Sequence, residues 1–144
     1  KKKNIVTSEM FNKANIFILN NKKIEAKKLL LDVLNRKHNF YSPLALNILL
    51  ENNLIEDFDQ IIMYFDLIIK NVDLEKEKNN LFIFKKAIYL SNFDKEDQIL
   101  STLKPLIEKN SELKLRSIKL LKEYYSSKGN KQKEEEYSRM LKNN

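Results

Sequence analysis

Apolar residues recur along most of this chain at intervals of three and four, the spacing that gathers side chains on one face of an α-helix. Met10, Phe11, Ala14, Phe17 and Ile18 form such a stripe in a segment that opens at Ser8 and stops near Asn20-Asn21. Ile24, Ala26, Leu30, Val33 and Leu34 form the next, predicting a helix over about 23–35. Ser42-Pro43 reads as an N-cap followed by Pro at the first helical position, where its missing N–H costs nothing, and that helix should end near Asn52. A fourth helix is predicted over 54–70 on Phe58, Ile61, Ile62, Phe65, Ile68 and Ile69. A fifth follows, capped by Asp73 and reaching about Asn92. Leu81 to Phe84 and Ala87 to Leu90 cover almost its whole circumference, so it should be covered on several sides.

Asp94 then caps a sixth helix to about Ile107, with Pro105 removing an amide donor from its last turn. Ser111 opens a seventh carrying Leu115, Ile118, Leu121 and Tyr125, closed by Gly129 as a left-handed residue. Asn130 caps the eighth, whose apolar face is thin: Tyr137, Met140 and Leu141. Grouped as antiparallel pairs, the helices start at Ser8, Ser42, Asp73 and Ser111, intervals of 34, 31 and 38 residues. The reading is all-α, a single domain over 8–142 preceded by a linker or chain-end segment over 1–7.

Composition sharpens this by exclusion. A chain of 144 residues with one Gly and two Pro lacks the turn chemistry of a β-sandwich or a doubly wound sheet. With no Cys there is no disulfide, thiolate metal site or cysteine nucleophile. The longest charge-free stretch, Asn39 to Leu50, is too short and too polar to span a bilayer. The chain begins Lys1-Lys2-Lys3-Asn4 without an initiator Met, so it is expected to derive from something longer, with any anchor in the part outside it. The net charge of +7 is uneven: residues 1–41 carry 10 basic and 3 acidic groups, 42–110 carry 8 and 12, and 111–144 carry 9 and 5. Only Arg36, Arg116 and Arg139 are Arg, whereas bidentate contact with phosphate and guanine favours Arg. Abundant Lys and Asn together with Ile, Leu and Phe fit A/T-rich coding, and nucleic acid is the weaker partner class.

A period near 34 is that of the tetratricopeptide repeat, in which helix A of each pair leans on its helix B and on the next helix A. The first pair resembles such a repeat at Ala14 and Phe17 in helix A and at Ala26 and Leu30 in helix B, alternating small and large contacts. The third repeats the pattern with Ala87 and Leu90, then Ile99 and Leu103, although Ile99 stands where Ala is usual. The fourth keeps Tyr125 and the Gly129-Asn130 turn but has Glu134 at the small position, and the second barely matches. The expected architecture is a right-handed α-solenoid of about four degenerate pairs. The order of a short first repeat, Leu103-Lys104-Pro105-Leu106, then Leu115 to Gly129-Asn130 resembles the soluble domain of the YfgM family, the ancillary subunit of the SecYEG translocon. That resemblance implies a non-enzymatic adaptor on the periplasmic side of a bacterial inner membrane, held by an anchor outside this chain. Its partners would be the translocon, a periplasmic chaperone or an exported client. Lys1 to Lys3 would then emerge outside the membrane, against the positive-inside bias.

No residue constellation points to catalysis. His38 stands in a loop without a second ligand and reads as solvated, and Asp57-x-Asp59 and Glu134-Glu135-Glu136 lack calcium-loop spacing, so no metal or cofactor is expected. Phosphate-cradling loops and nucleophile elbows need more Gly than this chain holds. Phe58, Phe65, Phe82, Tyr89 and Tyr125 are expected in the core. In the repeat register, Phe11, Asn15, Phe84, Ile88, Arg116, Lys119 and Glu123 would face a groove able to take an extended or helical segment of a partner protein. The alternatives are a helical repeat that binds nucleic acid through its basic ends and a structural domain that consumes its apolar surface in self-association.

Overall fold

A computed structural model describes residues 2–144, with side chains from residue 5 onward. The described residues form eight α-helices and no strand: α1 Lys2–Leu19, α2 Lys23–Asn35, α3 Tyr41–Glu51, α4 Phe58–Asn71, α5 Lys76–Ser91, α6 Glu96–Glu108, α7 Lys114–Ser127 and α8 Lys131–Lys142. The all-α class and the number of helices follow the apolar periodicity. Helix α1 begins at Lys2, ahead of Ser8, and the helices group into two compact units, Lys1–Leu74 and Glu75–Asn144.

In the first unit α1 packs on α2, α2 on α3 and α3 on α4, and α1 also touches α3. Ala14 of α1 and Ala26 of α2 are both completely buried, and two methyl side chains let these helices approach closely. Leu30, Val33 and Leu34 of α2 and Ala45, Leu46 and Leu49 of α3 are also removed from solvent. In the second unit α5 packs on α6, α6 on α7 and α7 on α8, and α5 also touches α7. Ala87 and Leu90 of α5, Ile99 and Leu103 of α6, and Ile118 of α7 are fully buried. Helix α8 contributes no buried residue, as its thin stripe foretold. Pro105 lies inside α6, which continues through it to Glu108.

Most helix ends are closed by one device. Asn21, Lys37, Asn53, Asp94, Asn110 and Gly129 have φ between 51° and 71°, each just past a helix. At four of them the next residue's N–H returns to a carbonyl five residues back: Lys22 to Phe17 at 2.8 Å, Leu54 to Leu49 at 2.9 Å, Ser111 to Leu106 at 3.2 Å and Asn130 to Tyr125 at 3.0 Å. This is the Schellman closure, which Gly favours and Asn tolerates. A chain with one Gly therefore makes its helix hairpins with Asn at three of the four, and part of the Asn surplus assigned to coding bias has a structural cause.

Apart from α1, which begins six residues ahead of Ser8, the helices start within four residues of the expected positions. Asp57 caps α4 by accepting the Gln60 N–H at 2.9 Å, and Asn130 caps α8 by accepting from Lys133 at 3.1 Å. Ser42 does not cap α3. Its buried hydroxyl accepts the His38 N–H at 2.7 Å and donates to the Val33 carbonyl at 2.8 Å, fastening the loop to the end of α2. His38 takes over the capping. Half-buried rather than solvated, its Nδ1 accepts the N–H groups of Phe40 at 3.0 Å and Tyr41 at 3.1 Å.

Candidate functional site

The residues singled out from the sequence belong to two places. Phe11 and Asn15 lie on α1 in the first unit, where Phe11 is buried against the Tyr41 ring, centroids 5.4 Å apart, and Asn15 is half-buried. Phe84, Ile88, Arg116, Lys119 and Glu123 lie in the second unit on the neighbouring helices α5 and α7.

On α5, Asn80, Phe84 and Ile88 follow one another a turn apart, so they lie along one side of the helix. The Asn80 amide donates to Glu112 Oε1 at 3.4 Å, just before α7 begins. Phe84 is buried beneath the Arg116 guanidinium, 5.2 Å from its ring centroid, a geometry in which the ring face attracts the cation. Beyond the last turn of α5, Asp94 accepts the Tyr124 hydroxyl at 2.5 Å and pairs with Lys128 at 3.2 Å. The partners are separated by 32, 32 and 30 residues in turn. Both numbers of each pair rise together, so α5 and α7 run parallel and in register.

Along this seam Ile88 and Leu81 remain exposed on α5, while Arg116, Lys119 and Glu123 are exposed on one face of α7. Phe84 therefore holds the two helices together and is not itself a surface anchor. The exposed strip holds Leu81 and Ile88 on α5, and Leu115 with Arg116, Lys119 and Glu123 on α7. Such a strip can bury apolar anchors while orienting them by polar contacts.

Electrostatically, the perturbed groups of the second unit lie around Tyr124 and Tyr125. The hydrogen bond from Tyr124 and then the Lys128 ammonium hold the Asp94 carboxyl below its ordinary value, and burial, then the Asp94 bond, raises the Tyr124 phenol. Burial, helped by Glu96, pushes Tyr125 up to about 12. Asp94 sits in a left-handed turn and binds α7 instead of capping α6, which starts at Glu96 with Lys95 as its N-cap.

A groove between α6, α7 and α8 was not foreseen. Leu100 and Ile107 of α6, Leu121 of α7, and Tyr137 and Met140 of α8 line a groove of about 520 Å³ rimmed by Asp97, Lys104, Glu108 and Glu136. Tyr137 stacks on Tyr125 with ring planes 2° apart and centroids at 5.8 Å, which fixes one wall. The signal was available: Leu100 and Ile107 extend a second apolar line beside Ile99, Leu103 and Leu106. Compared with family models, curated proteins and solved structures, the chain matches none of them.

Proposed function

We propose that this chain is a protein-binding helical repeat, in which tetratricopeptide-like pairs stack as a right-handed solenoid and the α5/α7 face receives a segment of another protein. The parallel register of α5 and α7 carries this reading, since a constant offset of about one repeat is what stacked helix A elements produce. In the first unit the Phe11–Tyr41 contact joins α1 to α3 at a separation of 30 residues, which supports the same repeat. The mechanism is binding without chemistry. Preformed helices present Leu81 and Ile88 beside Arg116, Lys119 and Glu123, so little ordering entropy remains to oppose capture of a segment. By its resemblance to the translocon-associated family, the adaptor would work beside the Sec translocon, a chaperone or an exported client.

Photo-crosslinking in intact cells tests this, with a photoreactive side chain at Ile88 and a control at Lys131 on α8. The expected result is a discrete protein adduct at Ile88 that disappears with Arg116→Glu and is absent at Lys131. No adduct at Ile88, or the same adducts from both positions, would overturn the proposal.

A further inference from the structure

The first unit carries a surface feature that binding at α5/α7 leaves unexplained. Leu19, the last residue of α1, is 84% exposed, and Ile24, the second residue of α2, is 82% exposed. They flank one Schellman turn and therefore lie at the same end of the α1–α2 hairpin. Ile16, one turn before Leu19, is also exposed. Single exposed aliphatic residues are ordinary, but three at one hairpin tip form a patch.

The charge along that hairpin is mainly positive. Lys22 and Lys23 stand between the two aliphatic residues, and Lys13, Lys27 and Lys28 lie within the adjoining turns of α1 and α2. Glu25 is the sole acidic residue between 13 and 28. The Lys13 and Lys22 ammonium groups lie 5.8 and 6.0 Å from the Phe17 ring centroid, which holds both cations beside the turn. Lys22 occupies the position after the left-handed Asn21, where a Schellman turn usually places an apolar residue against the preceding helix.

We propose that the α1–α2 tip docks on an anionic lipid surface. Leu19 and Ile24 enter the boundary between headgroups and acyl chains, while the lysines extend along their stems to reach lipid phosphates and carboxylates. The aliphatic tips favour lipid over nucleic acid, because phosphate contacts on a polynucleotide give them nowhere dry to go. Positive charge favours an anionic bilayer over a neutral one. Each aliphatic side chain taken from water strengthens binding by about tenfold or more. Each Lys close to an anionic surface adds roughly fivefold.

Flotation of the full chain with phosphatidylcholine vesicles, with and without about 30% phosphatidylserine, tests the proposal at low and at physiological salt. The chain is expected to float with the serine-containing vesicles only, less at the higher salt. Leu19→Glu with Ile24→Glu should weaken flotation by roughly a hundredfold, and Lys22→Ser with Lys23→Ser by roughly tenfold or more. All four positions are exposed, so helical content and melting temperature should stay as in the parent. Absence of flotation overturns the proposal, as does flotation that survives the double Glu substitution. So does a concentration-dependent dimer, seen by sedimentation, that the double Glu substitution abolishes in a chain that never floats. Equal binding of parent and double Glu variant to a labelled single-stranded oligonucleotide, with no lipid binding, would reassign the lysines to nucleic acid.

Discussion

Ser42 and Ser117 are both completely buried, yet their substitution by Ala should have opposite consequences. The Ser42 hydroxyl bridges the His38 N–H and the Val33 carbonyl through bonds of 2.7 and 2.8 Å. Val33 keeps the Arg36 N–H at 3.2 Å as a partner, so Ser42→Ala strands mainly the His38 donor. Losing two buried hydrogen bonds and leaving one donor unsatisfied costs about 2–3 kcal/mol. The Ser117 hydroxyl makes no hydrogen bond, so its burial is an uncompensated desolvation. Ser117→Ala should then be neutral or stabilise the chain by up to about 1 kcal/mol. With no Trp in the sequence, urea unfolding is best followed by the far-ultraviolet helix signal. The two midpoints should move in opposite directions, or Ser42→Ala alone should fall, with unchanged slopes. Equal losses for both variants, or a larger loss for Ser117→Ala, would refute the assignment of these two hydroxyl groups.

Further outcomes concern charge and backbone. Because its hydrogen bond from Tyr124 and its pairing with Lys128 lower the Asp94 carboxyl in the folded state, its stabilising contribution is present above the ordinary value of 3.8 and fades as pH falls through the lower folded value. Acid melts of the parent should therefore steepen below pH 3.8 relative to Asp94→Asn. Tyr125 behaves in the opposite sense: its phenol is raised from 10.0 to about 12, so stability is full below 10.0 and is lost as pH rises toward 12. Tyr125→Phe should reduce that alkaline loss, read by thermal unfolding at rising pH. Lys37 holds φ at 55° without the local hydrogen-bonding habit of Asn, so Lys37→Gly should stabilise by about 0.5–1 kcal/mol in thermal unfolding.

The helices were legible because each stripe of buried residues repeats at three and four. Ala26, Leu30, Val33 and Leu34 emerge on the predicted face of α2, and Ile99, Leu103 and Leu106 do so on α6. The ends were less legible, because Ser and Asp bond through space as readily as along the chain. Ser42 reaches back to Val33, and Asp94 reaches Tyr124, thirty residues away. The His38 cap depends on a ring placed by the loop, and no spacing rule announces it. The division between Leu74 and Glu75 had no Gly, Pro or Ser run to mark it. Of the residues assigned to a groove, Ile88, Arg116, Lys119 and Glu123 are exposed. Phe11 and Phe84 are instead absorbed by Tyr41 and Arg116, since a large ring beside a neighbouring helix gains more from cover than from water.

Stacking of α5 and α7 in parallel register underlies the proposed repeat and the proposed binding face together, and a pair of distances measures it. The chain has no Cys, so spin labels on cysteines introduced at Leu81 with Leu115, and at Leu81 with Glu123, would be its only labels. With helices about 10 Å apart and a rise of about 1.5 Å per residue, the first distance should be shorter than the second by about 8 Å. Equal distances, or a shorter Leu81–Glu123 distance, would mean that the helices do not run in parallel and would contradict the account.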